Sequence, residues 1–367
     1  MKTVILSIDD IRLIVNYVGL DALMNEMINR LTVALKEFNE ENTVIHLRSG
    51  FKYSQPNLGL LEWMPVMKVG GHATIKIVGY HPSNPKSRNL PTILSTISVY
   101  DTVSGHLIGM ADGTFFTALR TGAASAIASQ IMAAPDSKVV GLIGCGAQAV
   151  TQLHAISRLF DIERVTIYDI DPTVSQSFLT RASFLNLDIL AVEASSLNLL
   201  VKSADIICTS TSVGIDEGPV FGAGETKPWL HINAIGSDFA GKMEIPTSLL
   251  KRSFVCPDVL EQAMKEGECQ RLSPDEIGPS LIELVRNQEK YTFVQEQTSV
   301  FDSTGWAFED GVAMEMLMGY ADELGLGTSI QIESISADAR NPYDFVTSDR
   351  DSMRIGAMAT LPIGRQI

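Results

Sequence analysis

Val139-Val140-Gly141-Leu142-Ile143-Gly144-Cys145-Gly146-Ala147-Gln148-Ala149 decides the fold. The first five residues form a short apolar run of strand length. The spacing Gly144-x-Gly146-x-x-Ala149 follows at once, and Ala147 to Phe160 has helical patterning. Strand, glycine turn and helix in that order form a dinucleotide-binding fingerprint. Gly144 allows the tight turn, and Gly146 lets backbone approach a pyrophosphate. Ala149 replaces the third glycine with another small residue. The helix start at Ala147 and Gln148 presents unpaired N–H groups and a partial positive charge to phosphates. Arg164 to Asp169 reads as the next strand. Asp169 ends it, 23 residues after Gly146. A carboxylate there accepts from a ribose 2′-hydroxyl and repels a 2′-phosphate, so NAD is expected rather than NADP. A glycine turn with a helix-capping aspartate is the bland alternative.

Downstream, Asp188–Val192, Asp205–Thr209, Leu230–Ile235 and Thr298–Phe301 read as further strands. Helical stretches separate the earlier ones, the pattern of a parallel sheet. A last long helix is expected over Trp306–Leu324. Upstream the periods differ. Leu23, Met27, Leu31, Leu35 and Phe38 recur at helical spacing. Asp9 and Asp10 are expected to cap the helix before that one. Ala73–Tyr80 and Thr92–Tyr100 alternate as strands, with Ile75 and Ile77 on one face of the first and Thr74 and Lys76 on its polar face. Asp101–Gly105 is a hairpin turn and His106–Met110 the return strand. Phe115–Met132, rich in Gly122 and alanines, predicts a closely packed central helix. The fold expected is α/β: an NAD-binding Rossmann domain with a parallel sheet (126–314), inserted into an α+β substrate-binding and dimerisation domain (1–125 with 315–367).

The 367 residues are 45 % hydrophobic and 19 % charged, with a formal charge of −15. A nucleic-acid partner is not expected from such a balance, and an acidic chain favours a cationic substrate. No stretch is long and apolar enough for a membrane span, and the apolar start stops at Asp9-Asp10, too early for a signal peptide. The cytoplasm is the expected location. Cys145, Cys208, Cys256 and Cys269 lack metal or disulfide spacing, and no His-Glu-x-x-His occurs, so no metal is expected. Cys145 reads as a small filler in its turn.

Beyond the glycine turn, Thr117-Ala118-Leu119-Arg120-Thr121 and Asn233-Ala234-Ile235-Gly236-Ser237-Asp238 resemble motifs of the ornithine cyclodeaminase/μ-crystallin family. The likeness runs from about Leu6 to Leu324. Glu62-Trp63-Met64-Pro65, Lys76–Pro82, Leu90–Leu94 and Ser299–Gly305 are most similar to its lysine cyclodeaminase branch. The resemblance implies a reaction without net redox change. NAD⁺ takes hydride from Cα of a diamino acid, the terminal amine attacks the resulting iminium, ammonia leaves, and NADH reduces the cyclic imine. Lysine would give pipecolate. Ornithine giving proline is the alternative substrate, and a ketimine reductase or amino-acid dehydrogenase of the same family the alternative chemistry. A non-catalytic binding protein is a third class. A homodimer through the first domain is also implied.

Asp238 sits after an apolar strand, where ligands bind in such folds. The resemblance makes it the proton donor and acceptor; on sequence alone it could be a turn-capping aspartate. The resemblance also gives Arg48, in the strand-like run His46-Leu47-Arg48, and Lys76 to the substrate α-carboxylate. Arg120 would lie between that carboxylate and the cofactor. Without it, each reads as a surface salt-bridge partner. Glu62 would face the substrate amine. Trp63 and Met64 read as core residues that can shape the side-chain pocket. Thr92, Thr211, Lys242, Ser303 and Thr304 match cofactor- or pocket-lining positions. Ile235, Gly236 and Ser237 would present backbone to the nicotinamide.

Overall fold

The structure is a computed structural model; residues 1–347 are described, so the part of the expected C-terminal return beyond 347 lies outside the described residues. Two sheets organise the chain. The first runs β15-β1-β7-β6-β5-β4-β2, with β3 also on β4. Its strands are β1 (Thr3–Leu6), β2 (Thr43–Ile45), β3 (Ser49–Tyr53), β4 (Gly59–Lys68), β5 (His72–Tyr80), β6 (Ile93–Asp101), β7 (Leu107–Asp112) and β15 (Thr328–Ile330). All neighbours are antiparallel except β1 and β7. The second sheet is wholly parallel, in the order β10-β9-β8-β11-β12-β14-β13. It comprises β8 (Val139–Ile143), β9 (Arg164–Tyr168), β10 (Ile189–Ala191), β11 (Ile206–Thr209), β12 (His231–Ala234), β13 (Phe254–Pro257) and β14 (Ser299–Asp302). Strand order reverses between β8 and β11, and a crevice opens beyond their carboxyl ends.

The Thr114–Met132 helix packs against β6 of the first sheet and β12 and β14 of the second. Its small residues allow this. A Cβ on Gly122 would lie 2.5 Å from the Thr151 carbonyl of the Ala147–Leu159 helix. Leu23, Met27, Leu31 and Leu35 line the buried side of the Leu20–Glu37 helix, as their spacing predicts. The preceding Ile8–Val18 helix is capped differently from expectation. Ser7 caps it, and Asp10 completes the reciprocal box by accepting from the Ser7 N–H.

The structure adds to or corrects the sequence reading at three places. First, the two faces of β5 divide as expected, and the polar one is the buried one: Lys76 is 1 % exposed and Ile77 is 45 %. Thr74, Lys76 and Val78 point inward, while Ile77 joins Leu61, Trp63 and Leu94 on an exposed apolar face. Second, His46-Leu47-Arg48 is a loop between β2 and β3. β3 pairs β4 up to Trp63 and β2 pairs it from Val66, so Met64 and Pro65 have no partner on that edge. Pro65 sits at this break, where its missing N–H disrupts no ladder. Third, β13, absent from the sequence reading, forms the far edge of the parallel sheet. Among the described residues no helix is long and apolar enough to cross a membrane.

Candidate active site

The glycine turn follows β8. Gly144 has φ +86°, and a Cβ there would lie 2.8 Å from the Ser210 carbonyl. Only glycine combines that backbone with that approach. A Cβ on Gly146 would meet open space. The Ala147–Leu159 helix starts there without a side-chain cap, leaving its first amides free for an anion. These features fit a dinucleotide's pyrophosphate. Asp169 accepts the Cys145 N–H (2.8 Å) and the Asp171 N–H (2.9 Å), so it also shapes the turn. Arg181, absent from the sequence reading, donates to the carbonyls of Cys145 (2.6 Å) and Gly146 (3.2 Å). Burial and Asp169 push the Cys145 thiol up to about 12, which makes it an inert filler.

Beside the turn lies a cleft. Arg48, Glu62, Lys76, Arg120, Gln148, Ile235, Asp238, Ser303 and Thr304 all line it, residues far apart in sequence. Leu60, Met64 and Val78 supply apolar wall, and Tyr80, Thr117 and Thr121 polar wall. Thr92, Asp169, Thr211, Gly236, Ser237 and Lys242 fall outside this lining. Thr92 precedes β6, its carbonyl accepting from the His81 N–H.

The cations are held by internal carboxylates. Lys76 Nζ is 2.7 Å from Asp310 Oδ2. Arg120 donates through Nε to Asp310 Oδ1 (3.1 Å) and also pairs with Glu309. Arg48 reaches Glu266 (2.9 Å), lies 3.8 Å from Glu62, and donates to the carbonyls of Thr304 and Gly305. These pairs are buried, which corrects the surface-salt-bridge alternative. Burial lowers Lys76 to about 7 despite Asp310, with the charges of Arg120 and Arg48 acting in the same direction as burial. Three cations thus converge on the cleft, each already paired with at least one buried carboxylate.

Asp238 follows β12 at the cleft edge. Its carboxylate accepts from Lys242 Nζ (3.0 Å), which also donates to Tyr80 Oη (3.0 Å). Burial pulls the Lys242 ammonium down, but Asp238 and Tyr80 outweigh it and hold it above the ordinary lysine range. Lys242 thus joins β5 to the Asp238 loop. Ser303 presents to the cleft a buried hydroxyl with no hydrogen-bond partner among the described residues, a group available to a ligand. The Thr304 hydroxyl is already engaged, donating to Asp258 (3.0 Å) and accepting from Gln262 (2.6 Å). Ser237 donates to the Lys242 carbonyl. Ile235 bonds through its N–H to the Thr209 carbonyl. The sequence offered no signal for Glu309, Asp310, Asp258 or Glu266, since their partners lie far away along the chain.

The chain matches the model of the "Ornithine cyclodeaminase/mu-crystallin family" over residues 9–323. It is 41 % identical to an L-lysine cyclodeaminase of Streptomyces rapamycinicus, covering 94 % of this chain and 99 % of that one. It is 34 % identical to an ornithine cyclodeaminase of Agrobacterium fabrum, over 70 % of this chain and 71 % of that one. A solved lysine cyclodeaminase, described with recognition of L-lysine, L-ornithine and L-2,4-diaminobutyric acid, superposes with TM-score 0.90 at 45 % identity. That match covers 94 % of this chain and all of the other. An archaeal alanine dehydrogenase dimer with bound NAD superposes with TM-score 0.80 at 28 % identity, covering 91 % of this chain and 100 % of that one. The chain belongs to the ornithine cyclodeaminase/mu-crystallin family.

Proposed function

We propose that this chain catalyses the NAD-dependent cyclodeamination of L-lysine to L-pipecolate and ammonia, with L-ornithine to L-proline as a second reaction. The observation that carries the reading is one cleft that joins Asp238, the cation cluster of Arg48, Lys76 and Arg120, and the glycine-turn helix through Gln148. NAD, when bound, supplies oxidation at the substrate Cα and the later reduction of the cyclic imine.

The protein's own residues do the rest. Arg48 and Lys76 hold the α-carboxylate, and Arg120 sits between it and the cofactor. A guanidinium binds such a group with parallel hydrogen bonds. Glu62, 4 % exposed, faces the terminal ammonium. Asp238 takes a proton from the attacking amine and delivers one to the departing ammonia. Lys242 keeps that carboxylate oriented toward the cleft. Atoms balance: lysine loses one NH₃ and closes one C–N bond. Leu60, Met64 and Val78 contact the methylenes. An apolar wall discriminates one methylene by about 1–3 kcal/mol, so ornithine is also turned over. Glycine-turn backbone holds the pyrophosphate, and Asp169 the adenosine ribose. Thr92, Thr211, Ile235, Gly236, Ser237 and Ser303 complete the cofactor surround.

In this reading residues 1–125 with the described part of 315–367 form the substrate and dimerisation unit, and 126–314 the NAD unit. The exposed face bearing Leu61, Trp63, Ile77 and Leu94 supports a homodimer across the first sheet. Four free cysteines suit the cytoplasm. The test is absorbance at 340 nm with lysine and NAD⁺, alongside an ammonia assay. Ammonia release without NADH build-up is expected. Stoichiometric NADH would instead establish a net-redox dehydrogenase.

A further inference from the structure

Glu244 lies just beyond the Asp238 loop, outside the cleft lining, and is fully buried. Its Oε1 accepts the Thr211 N–H and the Thr211 hydroxyl, both at 2.7 Å. Its Oε2 accepts the Thr209 hydroxyl and the Gly236 N–H, both at 2.7 Å. Thr209 and Thr211 belong to the end of β11 and the loop after it. Gly236 follows β12, two residues before Asp238. One carboxylate therefore ties together the two strand ends that form one wall of the crevice. The approach is close: a Cβ on Gly236 would strike Glu244 Oε1 and the Thr211 carbonyl. Glu244 is itself anchored, its N–H donating to buried Glu268 (2.6 Å).

We propose that Glu244 is a positioning residue that sets the cofactor-facing backbone after β11 and β12, and through Gly236 the placement of Asp238. This rests on the function proposed above. The choice of residue type follows from the partners. Each oxygen meets one backbone N–H, and neither N–H can turn away. A carboxylate accepts at both oxygens. An amide of the same shape must direct its NH₂ at one of those N–H groups. Burial raises the Glu244 carboxyl, opposed by all four of these bonds.

The test compares the full-length wild type with E244Q, T209V, T209S and the E244Q/T209V double variant, by titrating NAD⁺ at 25 °C and following thermal melts. Thr209 is fully buried, so its substitution removes a bond to Glu244 without touching the cleft. E244Q is expected to weaken NAD⁺ binding about tenfold or more, as for loss of a hydrogen bond to a charged group. T209V is expected to weaken it severalfold and T209S to restore it. The double variant should be no weaker than E244Q, because both act through one carboxylate. A lowered melt with unchanged NAD⁺ affinity would leave Glu244 merely structural and overturn the proposal. Multiplying losses in the double variant would also overturn it. Should E244Q fail to fold, T209V with wild-type NAD⁺ affinity overturns it alone. Wild-type turnover of lysine is scored separately, so a failed reaction and a failed Glu244 assignment give different results.

Discussion

Asp238→Asn isolates proton transfer from architecture. The substitution keeps shape, and an asparagine Oδ1 still accepts from Lys242 at the position Asp238 Oδ1 holds, 3.0 Å away. Lys242 also retains Tyr80 Oη at 3.0 Å. The Asp238 side chain is 29 % exposed but Lys242 is 5 % exposed, so removing the charge opposite that buried ammonium costs about 1–3 kcal/mol, between a surface pair and a buried one. No backbone N–H of the glycine turn bonds to Asp238, so NAD⁺ affinity should stay within about threefold, the equivalent of under 1 kcal/mol. Turnover is another matter. An amide neither takes a proton from the attacking amine nor supplies one to departing ammonia, and general acid–base groups contribute about 10²–10⁴-fold. Ammonia release at saturating lysine and NAD⁺ should fall by that factor, in a folded protein that melts only a few degrees lower. A variant within about tenfold of wild type, the lower edge of such effects, would refute the proton-transfer role.

Other consequences follow from the buried charges and the open sheet face. Lys76 sits at about 7 in the folded chain against 10.5 when free. The folded state therefore sheds that proton first, and the Lys76 contribution to stability rises from pH 7 to 10.5. An α-carboxylate arriving beside Lys76 draws the proton back. Proton uptake on lysine binding near pH 8.5, measured by calorimetry in buffers of different ionisation enthalpy, should thus be greater in wild type than in Lys76→Met; equal stoichiometries would remove Lys76 from the carboxylate site. Asp310→Asn strips the partner from Lys76 and Arg120 together. Breaking a buried pair costs about 3–5 kcal/mol, so the melting temperature should fall by several degrees, and a loss below about 1 kcal/mol would contradict the assigned pairing. Ile77→Asp places a charge on the exposed face of β5. Light scattering should show wild type at twice the chain mass and the variant at one; a dimeric variant would locate the interface elsewhere.

The parallel sheet was legible because its inner strands are short apolar runs, and because Gly144 and Gly146 punctuate the first crossover. β13 was not: Phe254–Pro257 is four residues ending in proline, too short for a period. Which face of β5 is buried was not legible, for a physical reason. Alternation shows which residues share a face, but Lys76 is inside because Asp310, 234 positions away, neutralises it there. Ile77 is outside because strand alternation sends it to the face opposite Lys76. The cation cluster drew notice through Arg120 within a small-residue helix and through family motifs. Its counter-charges did not, since nothing local distinguishes Glu309-Asp310 from an ordinary acidic first turn of a helix. Glu244 was likewise silent, because its task depends on two loops meeting in space.

In the proposed reaction lysine is oxidised and reduced at the same carbon within one turnover. Lysine deuterated at Cα tests this. Incubated with the enzyme and unlabelled NAD⁺, it should give ammonia and pipecolate that retains the deuterium at C2. Pipecolate carrying hydrogen there, or deuterium accumulating in free NADH with no pipecolate formed, would contradict it.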